Sequence, residues 1–112
     1  MKKKTAISPM GRSLRALREQ GWVCGITEKF NPFAKIRQDL FNFIDILCLK
    51  KGKMLAVQTT TGANLATRKI KVLKNPNYPL LKSTGCGVEI HGWQLRGKKG
   101  KRKTWQVKIV KM

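Results

Sequence analysis

The sequence predicts a single α/β domain, a mixed central β-sheet flanked by helices in the order α-β-β-β-α-β-β. Three observations carry that expectation. Short runs of strand-forming apolar residues recur along the chain, and stretches with helical periodicity separate them. A hydrophobic content of 41% in 112 residues supports one modest core rather than a disordered basic tail. No internal repeat divides the chain.

Residues 1 to 9 read as a basic arm containing Lys2-Lys3-Lys4, and residues 10 to 112 as the domain. Met10, Leu14 and Leu17 recur at helical spacing, with Arg12, Arg15, Arg18 and Glu19 mostly elsewhere. That pattern is a short amphipathic helix over 11 to 20, ended by Gly21 in the C′ position. Trp22 to Ile26 is a strand, and Asn31-Pro32 punctuates a connection reaching about Gln38. Asn42 to Leu49 and Met54 to Thr59 are strands joined by the tight turn Lys50-Lys51-Gly52-Lys53, and so form a hairpin. Gly62 opens a helix that Asn64 can cap and that runs to about Leu73. Pro76 and Pro79 interrupt the chain, with a helical turn at Tyr78 to Lys82. Val88 to Leu95 and Thr104 to Val110 are two further strands, joined by a basic arm over 96 to 103.

Lysine and arginine total 25 against 5 acids, a net charge of +20. Charge of that size repels itself, and its usual counterpart is a polyanion. The longest apolar run is Phe43 to Leu49, far short of the roughly 20 residues a membrane span needs. Met1-Lys2-Lys3-Lys4 is not followed by the apolar core of a signal peptide. Cys24, Cys48 and Cys86 are scattered through apolar segments, and the only histidine is His91. That set argues against a zinc site and for reduced thiols in a cytoplasmic protein.

One residue conflicts with its surroundings. Asp45 interrupts the strand Phe43-Ile44-Asp45-Ile46-Leu47-Cys48-Leu49, on the face it shares with Phe43, Leu47 and Leu49. An unpaired buried carboxylate costs several kcal/mol or stays protonated, so an ionised one needs a cation. A basic side chain can serve, and so can a metal. Gln58 lies across the short hairpin, on a face shared with Ala56 and Thr60. An acid on one strand and an amide oxygen on its neighbour form a minimal site for a hard cation, Mg²⁺ or Mn²⁺.

This arrangement resembles the PD-(D/E)XK, or restriction-endonuclease-like, nucleases, and especially small phage-type Holliday-junction-resolvase-like and VRR-type enzymes. The likeness runs through "EKFNPFAKIRQDLFNFIDIL" (28 to 47) and "AVQTTTGAN" (56 to 64), and spans roughly residues 10 to 110. It implies Asp45 as the motif aspartate and Gln58 in place of the second acid. Thr60 stands where the family has its lysine, and Ile44 where the family has proline. The first-helix glutamate of resolvases has no clear counterpart, since Glu19 lies at the helix end.

Two cations offer a substitute for the missing lysine. On a helical wheel Leu65, Ala66, Ile70, Val72 and Leu73 form an apolar arc with Lys69 inside it and Arg68 at its edge. Lys69 is therefore the candidate catalytic lysine, although its stem can equally snorkel to solvent. Arg68 is the candidate phosphate clamp, being charged at every working pH. Glu28 is a candidate third carboxylate or an exposed strand-end charge. Asp39 can bind metal, but its expected role is to pair with Arg37 or cap the local turn. Glu19 and Glu89 read as surface partners for lysine.

Candidate phosphate contacts are Lys35 and Arg37 together with Lys98, Lys99, Lys101, Arg102 and Lys103, the last five on a glycine-containing wing. Trp93 and Trp105 at the ends of that wing read as core. The reading so assembled is a metal-dependent endonuclease of branched or duplex DNA, acting as a homodimer without a small-molecule cofactor. Two alternatives stay open: a non-catalytic nucleic-acid-binding protein on a degenerate nuclease fold, and a basic ribosomal or nucleoid-type protein with an ion-paired Asp45.

Overall fold

A computed structural model of the chain describes residues 7–97 and 99–112. The element order is α1 (Pro9–Glu19), β1 (Val23–Ile26), β2 (Lys29–Asn31), β3 (Ile36–Gln38), β4 (Ile46–Lys50), β5 (Lys53–Thr61), a 3₁₀ turn (Gly62–Asn64), α2 (Leu65–Lys74), α3 (Asn77–Ser83), β6 (Gly87–Arg96) and β7 (Thr104–Lys111). The mixed α/β sheet is as expected, and its spatial order is β1-β4-β5-β6-β7. Among the described residues only β5 and β6 pair in parallel, joined by the crossover through α2 and α3. Among the described residues no helix is long and apolar enough to cross a membrane.

Local chemistry sets the boundaries. Ser8 caps α1 by accepting the Gly11 N–H at 3.1 Å, and Pro9 fills the first turn, where its missing N–H costs nothing. The helix therefore begins inside the stretch read as a basic arm; residues 1–6 of that arm lie outside the described residues. Gly21 takes φ +91° just past the end of α1, as its C′ role requires. The β4–β5 turn closes between Lys50 and Lys53, with Gly52 at φ +74°.

Two apolar clusters sandwich the sheet. Leu14 and Leu17 of α1 pack on Ile46, Cys48, Leu55 and Val57. On the other face Leu65 and Val72 of α2 pack on Phe43, Ala56, Val88 and Ile90. The thiols are free, and Cys24 and Cys48 face each other across β1 and β4 with sulfurs 3.6 Å apart. Burial, then the contact with Cys24, pushes the Cys48 thiol up to about 12, which leaves it unreactive.

Three expectations change. The strand expected from Asn42 begins only at Ile46, because Phe41 and Asn42 take positive φ in a turn, so Asp45 precedes the strand instead of interrupting it. The connection over 31–38 is a small antiparallel hairpin, β2–β3, in register Lys29↔Gln38 to Asn31↔Ile36. Asn31 builds its turn by accepting the Phe33 and Ala34 N–H groups at 3.0 and 3.2 Å. Trp105 is not core: it is 45% exposed, with the Arg12 guanidinium 4.1 Å above its ring.

A candidate acidic metal centre

Asp45 stands immediately before β4, one step beyond the Ile46↔Val57 pair, so it lies beside Gln58 on β5. Its backbone is fixed from both sides. The Asp45 N–H donates to the Val57 carbonyl at 2.9 Å, and its own carbonyl accepts the Thr27 N–H at 2.8 Å. Thr27 Oγ1 also donates to the Ile44 carbonyl at 2.6 Å, which ties the end of β1 to this turn. The side chain is 5% exposed, and Oδ2 accepts the Thr59 N–H at 2.8 Å and Thr59 Oγ1 at 3.3 Å.

The β2–β3 hairpin supplies the remaining acids. Glu28 precedes β2 and Asp39 follows β3, so both stand at the base of one hairpin whose first pair is Lys29↔Gln38. From Asp39 the chain turns sharply back to Asp45. Leu40 bridges Ile44, the Asn42 N–H donates to the Asp39 carbonyl at 2.9 Å, and Phe41 and Asn42 take φ +53° and +67°. Asn tolerates that conformation, whereas for Phe it is strained. Asn75, just past α2, donates to the Phe41 carbonyl at 2.8 Å and holds the turn in place.

One oxygen from each of Glu28, Asp39 and Asp45 falls within 4.8 Å of the others. Burial, then proton sharing with Asp39, then the charges of Asp39 and Glu28 push the Asp45 carboxyl up to about 7, against the lowering effect of the Thr59 N–H. Arg37 Nη1 pairs with Glu28 at 2.9 Å from a largely exposed position; among the described residues no basic side chain forms a salt bridge with Asp39 or Asp45. Gln58 is 2% exposed, and its Oε1 is buried without a hydrogen-bond donor. These groups line a cavity of about 610 Å³ whose wall also carries Arg68 and Lys71 of α2.

The donor set fits a hard divalent cation. Every converging group offers oxygen, carboxylates predominate, and the one buried amide oxygen nearby has an unused lone pair. Asp45, Gln58 and Glu28, the sequence-predicted ligands, share this cavity. Asp39 joins them, while Arg37 pairs with Glu28 instead of Asp39. The β2–β3 hairpin, without which Asp39 has no reason to return to Glu28, leaves little periodicity in the sequence. The signal was the Asn31-Pro32 turn between Lys29-Phe30 and Ile36-Arg37.

The helix is rotated relative to the expected wheel. Leu65 and Val72 are buried and Arg68 is half-buried, whereas Lys69 is exposed and Ile70 and Leu73 are each 53% exposed. Leu65 and Val72, seven residues apart, set the rotation by packing into the sheet. Lys69 consequently lines a different cavity from Asp45, and Lys71 lines the acidic one. Thr60 is buried on the sheet face and supplies no cation.

Of the candidate phosphate contacts, Arg68 alone combines partial burial with a place at the acids. Lys35 sits exposed in the β2–β3 turn at φ +53°, and Lys99, Lys101, Arg102 and Lys103 are exposed on the β6–β7 connection. Lys98 lies outside the described residues. Glu89, read as a lysine partner, accepts instead from His91 Nε2 at 3.0 Å. No protein-family model, curated protein or solved structure matches this chain.

Proposed function

We propose that the protein is a metal-dependent endonuclease of DNA, with Glu28, Asp39, Asp45 and Gln58 holding a divalent cation, Mg²⁺ or Mn²⁺. The observation that carries the reading is the convergence of three carboxylates within 4.8 Å beside an unpartnered buried amide oxygen. A group of acids so placed must bind protons or a cation, and phosphodiester chemistry uses the cation. Bound there, the ion would neutralise charge developing on the phosphate and lower the pKa of water.

The chain's own residues supply the rest. Thr59 fixes the Asp45 carboxylate through two hydrogen bonds, so its orientation does not depend on the ligand. Arg68 and Lys71, on the cavity wall, are placed to meet a non-bridging phosphate oxygen and take the electrostatic part of the absent motif lysine. The net charge of +20 supplies sequence-independent affinity for the backbone.

A second reading, binding without catalysis, is favoured by Thr60 at the motif lysine position and by the placement of Lys69 in another cavity. The ribosomal or nucleoid-type reading is disfavoured, because it requires an ion-paired Asp45 and no such pair exists among the described residues. Incubating the protein with duplex, branched and single-stranded DNA in Mn²⁺, Mg²⁺ or EDTA separates the remaining two. Cleavage that needs the cation supports the nuclease. Binding to all three DNAs without cleavage of any leaves the binding-only reading.

A further inference from the structure

We propose that a second cavity on the other side of α2, whose charged lining residues are all basic, is a phosphate subsite for the nucleic acid, an assignment that rests on the reading above. The cavity is about 390 Å³ and takes one cation from each of three elements: Lys69 of α2, Arg96 at the end of β6 and Lys108 of β7. Gln94 adds an amide, and Gly62 and Leu65 form part of the floor. No carboxylate lines it, and none of the three cations has a salt-bridge partner among the described residues.

Two glycines create this meeting point. Gly92 is paired with Lys108, and a Cβ there would come within 3.1 Å of Leu65 Cδ1 and 3.3 Å of Gly62 Cα. A Cβ on Gly62 would lie 2.1 Å from the side chain of Gln94. Their absent side chains let the start of α2 settle directly on β6, which places a helix lysine around the same hollow as two strand cations. Neither Thr61 nor Asn64 caps the helix start with its side chain, and no acid occupies the first turn. The positive end of the helix dipole, beside Gly62 and Leu65 in the cavity lining, is therefore not offset by an acid.

Like charges gathered around a concave wall repel one another until an anion enters, and the concavity focuses their field. A backbone phosphate supplies that anion with acceptor oxygens for Arg96 and the lysines. Because Arg68 and Lys71 line the acidic cavity and Lys69 the basic one, α2 forms a shared wall between them. A strand crossing that helix would place one phosphate at the acids and another in the basic cavity.

The test measures anisotropy of a labelled duplex in EDTA across a salt series. Three proteins are compared: wild type, a K69Q/R96Q/K108Q triple variant, and a charge-matched K51Q/K53Q/K74Q control. All six positions are exposed. The basic-cavity variant should flatten the slope of log affinity against log salt by about 0.9 per lost contact, up to about 2.7, and the control should change it less. Equal slopes in the two triples would overturn the subsite. If the basic-cavity triple melts early, K69Q against K74Q makes the same comparison, with an expected difference of about 0.9.

Cleavage in Mn²⁺ is scored separately. Slope loss confined to the basic-cavity variant, with no cleavage by wild type, would retain the subsite and sink the nuclease. Cleavage with matched slopes would do the reverse. Failure of wild type to bind any duplex would overturn both.

Discussion

Two groups of polar side chains are buried in this small protein, and they are built on opposite logics. Between α1 and β6, Trp93 Nε1–H donates to Ser13 Oγ at 2.8 Å and Ser13 Oγ lies 2.8 Å from His91 Nδ1. His91 Nε2 in turn lies 3.0 Å from Glu89 Oε1. An indole N–H can only donate, so Ser13 Oγ accepts from Trp93; the Nε2–H tautomer of His91, which the Glu89 carboxylate favours, leaves Nδ1 to accept from Ser13. Each link meets its partner, and the bond from His91 holds the Glu89 carboxyl below its ordinary range. The Ser–His–acid sequence resembles a nucleophile triad, but Ser13 is 0% exposed and no substrate reaches it. The acidic centre is the converse: Asp45 is pushed up to about 7 and Gln58 Oε1 has no donor. A satisfied network braces a fold, whereas an unsatisfied one marks where something from outside is received.

The sharpest way to break this comparison is to neutralise one acid from each group. Asp45→Asn should lower Mn²⁺-dependent cleavage by at least roughly 10²-fold while duplex binding in EDTA persists. Glu89→Gln should leave the cleavage rate of folded protein intact and lower the melting temperature instead. Cutting by Asp45→Asn at the wild-type rate would remove the acidic centre from the chemistry.

Next in size are the cations of the cavity wall. Arg68→Met or Lys71→Met should each slow single-turnover cleavage by about 10²-fold at saturating DNA, the loss typical of one electrostatic group. Lys74→Met, beyond the cavity, provides the reference. Full rates in both variants would leave the absent motif lysine without a replacement.

A stability experiment separates the two logics without any DNA. Ser13→Ala orphans the Trp93 N–H and His91 Nδ1, and should cost about 1–3 kcal/mol in denaturant unfolding. Gln58→Leu, by contrast, removes an amide whose oxygen is already unpaired, and should be neutral or stabilising by about 1 kcal/mol in EDTA. A larger loss from Gln58→Leu than from Ser13→Ala would invert the assignment.

Asp45 also predicts a pH dependence in EDTA. Asp45 titrates at 3.8 in its ordinary state and at about 7 in the fold, so between those values the folded protein holds the extra proton. Its contribution to stability is therefore greatest below pH 4 and declines as pH rises through 7, the reverse of an ion-paired aspartate. Asp45→Asn should flatten that decline, most visibly in unfolding midpoints compared at pH 5 and pH 8. Parallel profiles for the two proteins would mean that Asp45 is ionised with a partner after all.

Much of the framework was legible because it depends on local rules. Gly21, Gly52 and the β4–β5 turn carry their own conformational reasons, and Asp45 stood out because an acid in an apolar strand is costly. Gln58 followed from register alone. Asp39 did not, because three-residue strands leave almost no periodicity to read. The rotation of α2 was also hidden: Ile70 and Leu73 suggest a broad apolar face, yet burial of Leu65 and Val72 decides which way the helix turns. The wheel is local, whereas the hollow beside it is tertiary. That difference moved the cavity wall from Lys69 to Lys71.

The single parallel pairing in the sheet has a kinetic consequence. β4 and β5 are neighbours in sequence and can zip as a hairpin in about 1–10 μs, which brings Asp45 beside Gln58. β6 joins β5 only after the chain has closed the crossover through α2 and α3, a non-local step that carries its loop entropy before any pairing repays it. Slowing the crossover, for instance with glycines in α3, should therefore delay α2 and the cavity wall while leaving the Asp45–Gln58 hairpin early. Pulse-labelling hydrogen exchange reads that order directly, with protection at Val57 preceding protection at His91, whose amide faces β5. Simultaneous protection at both would mean that the two halves of the site assemble in one step.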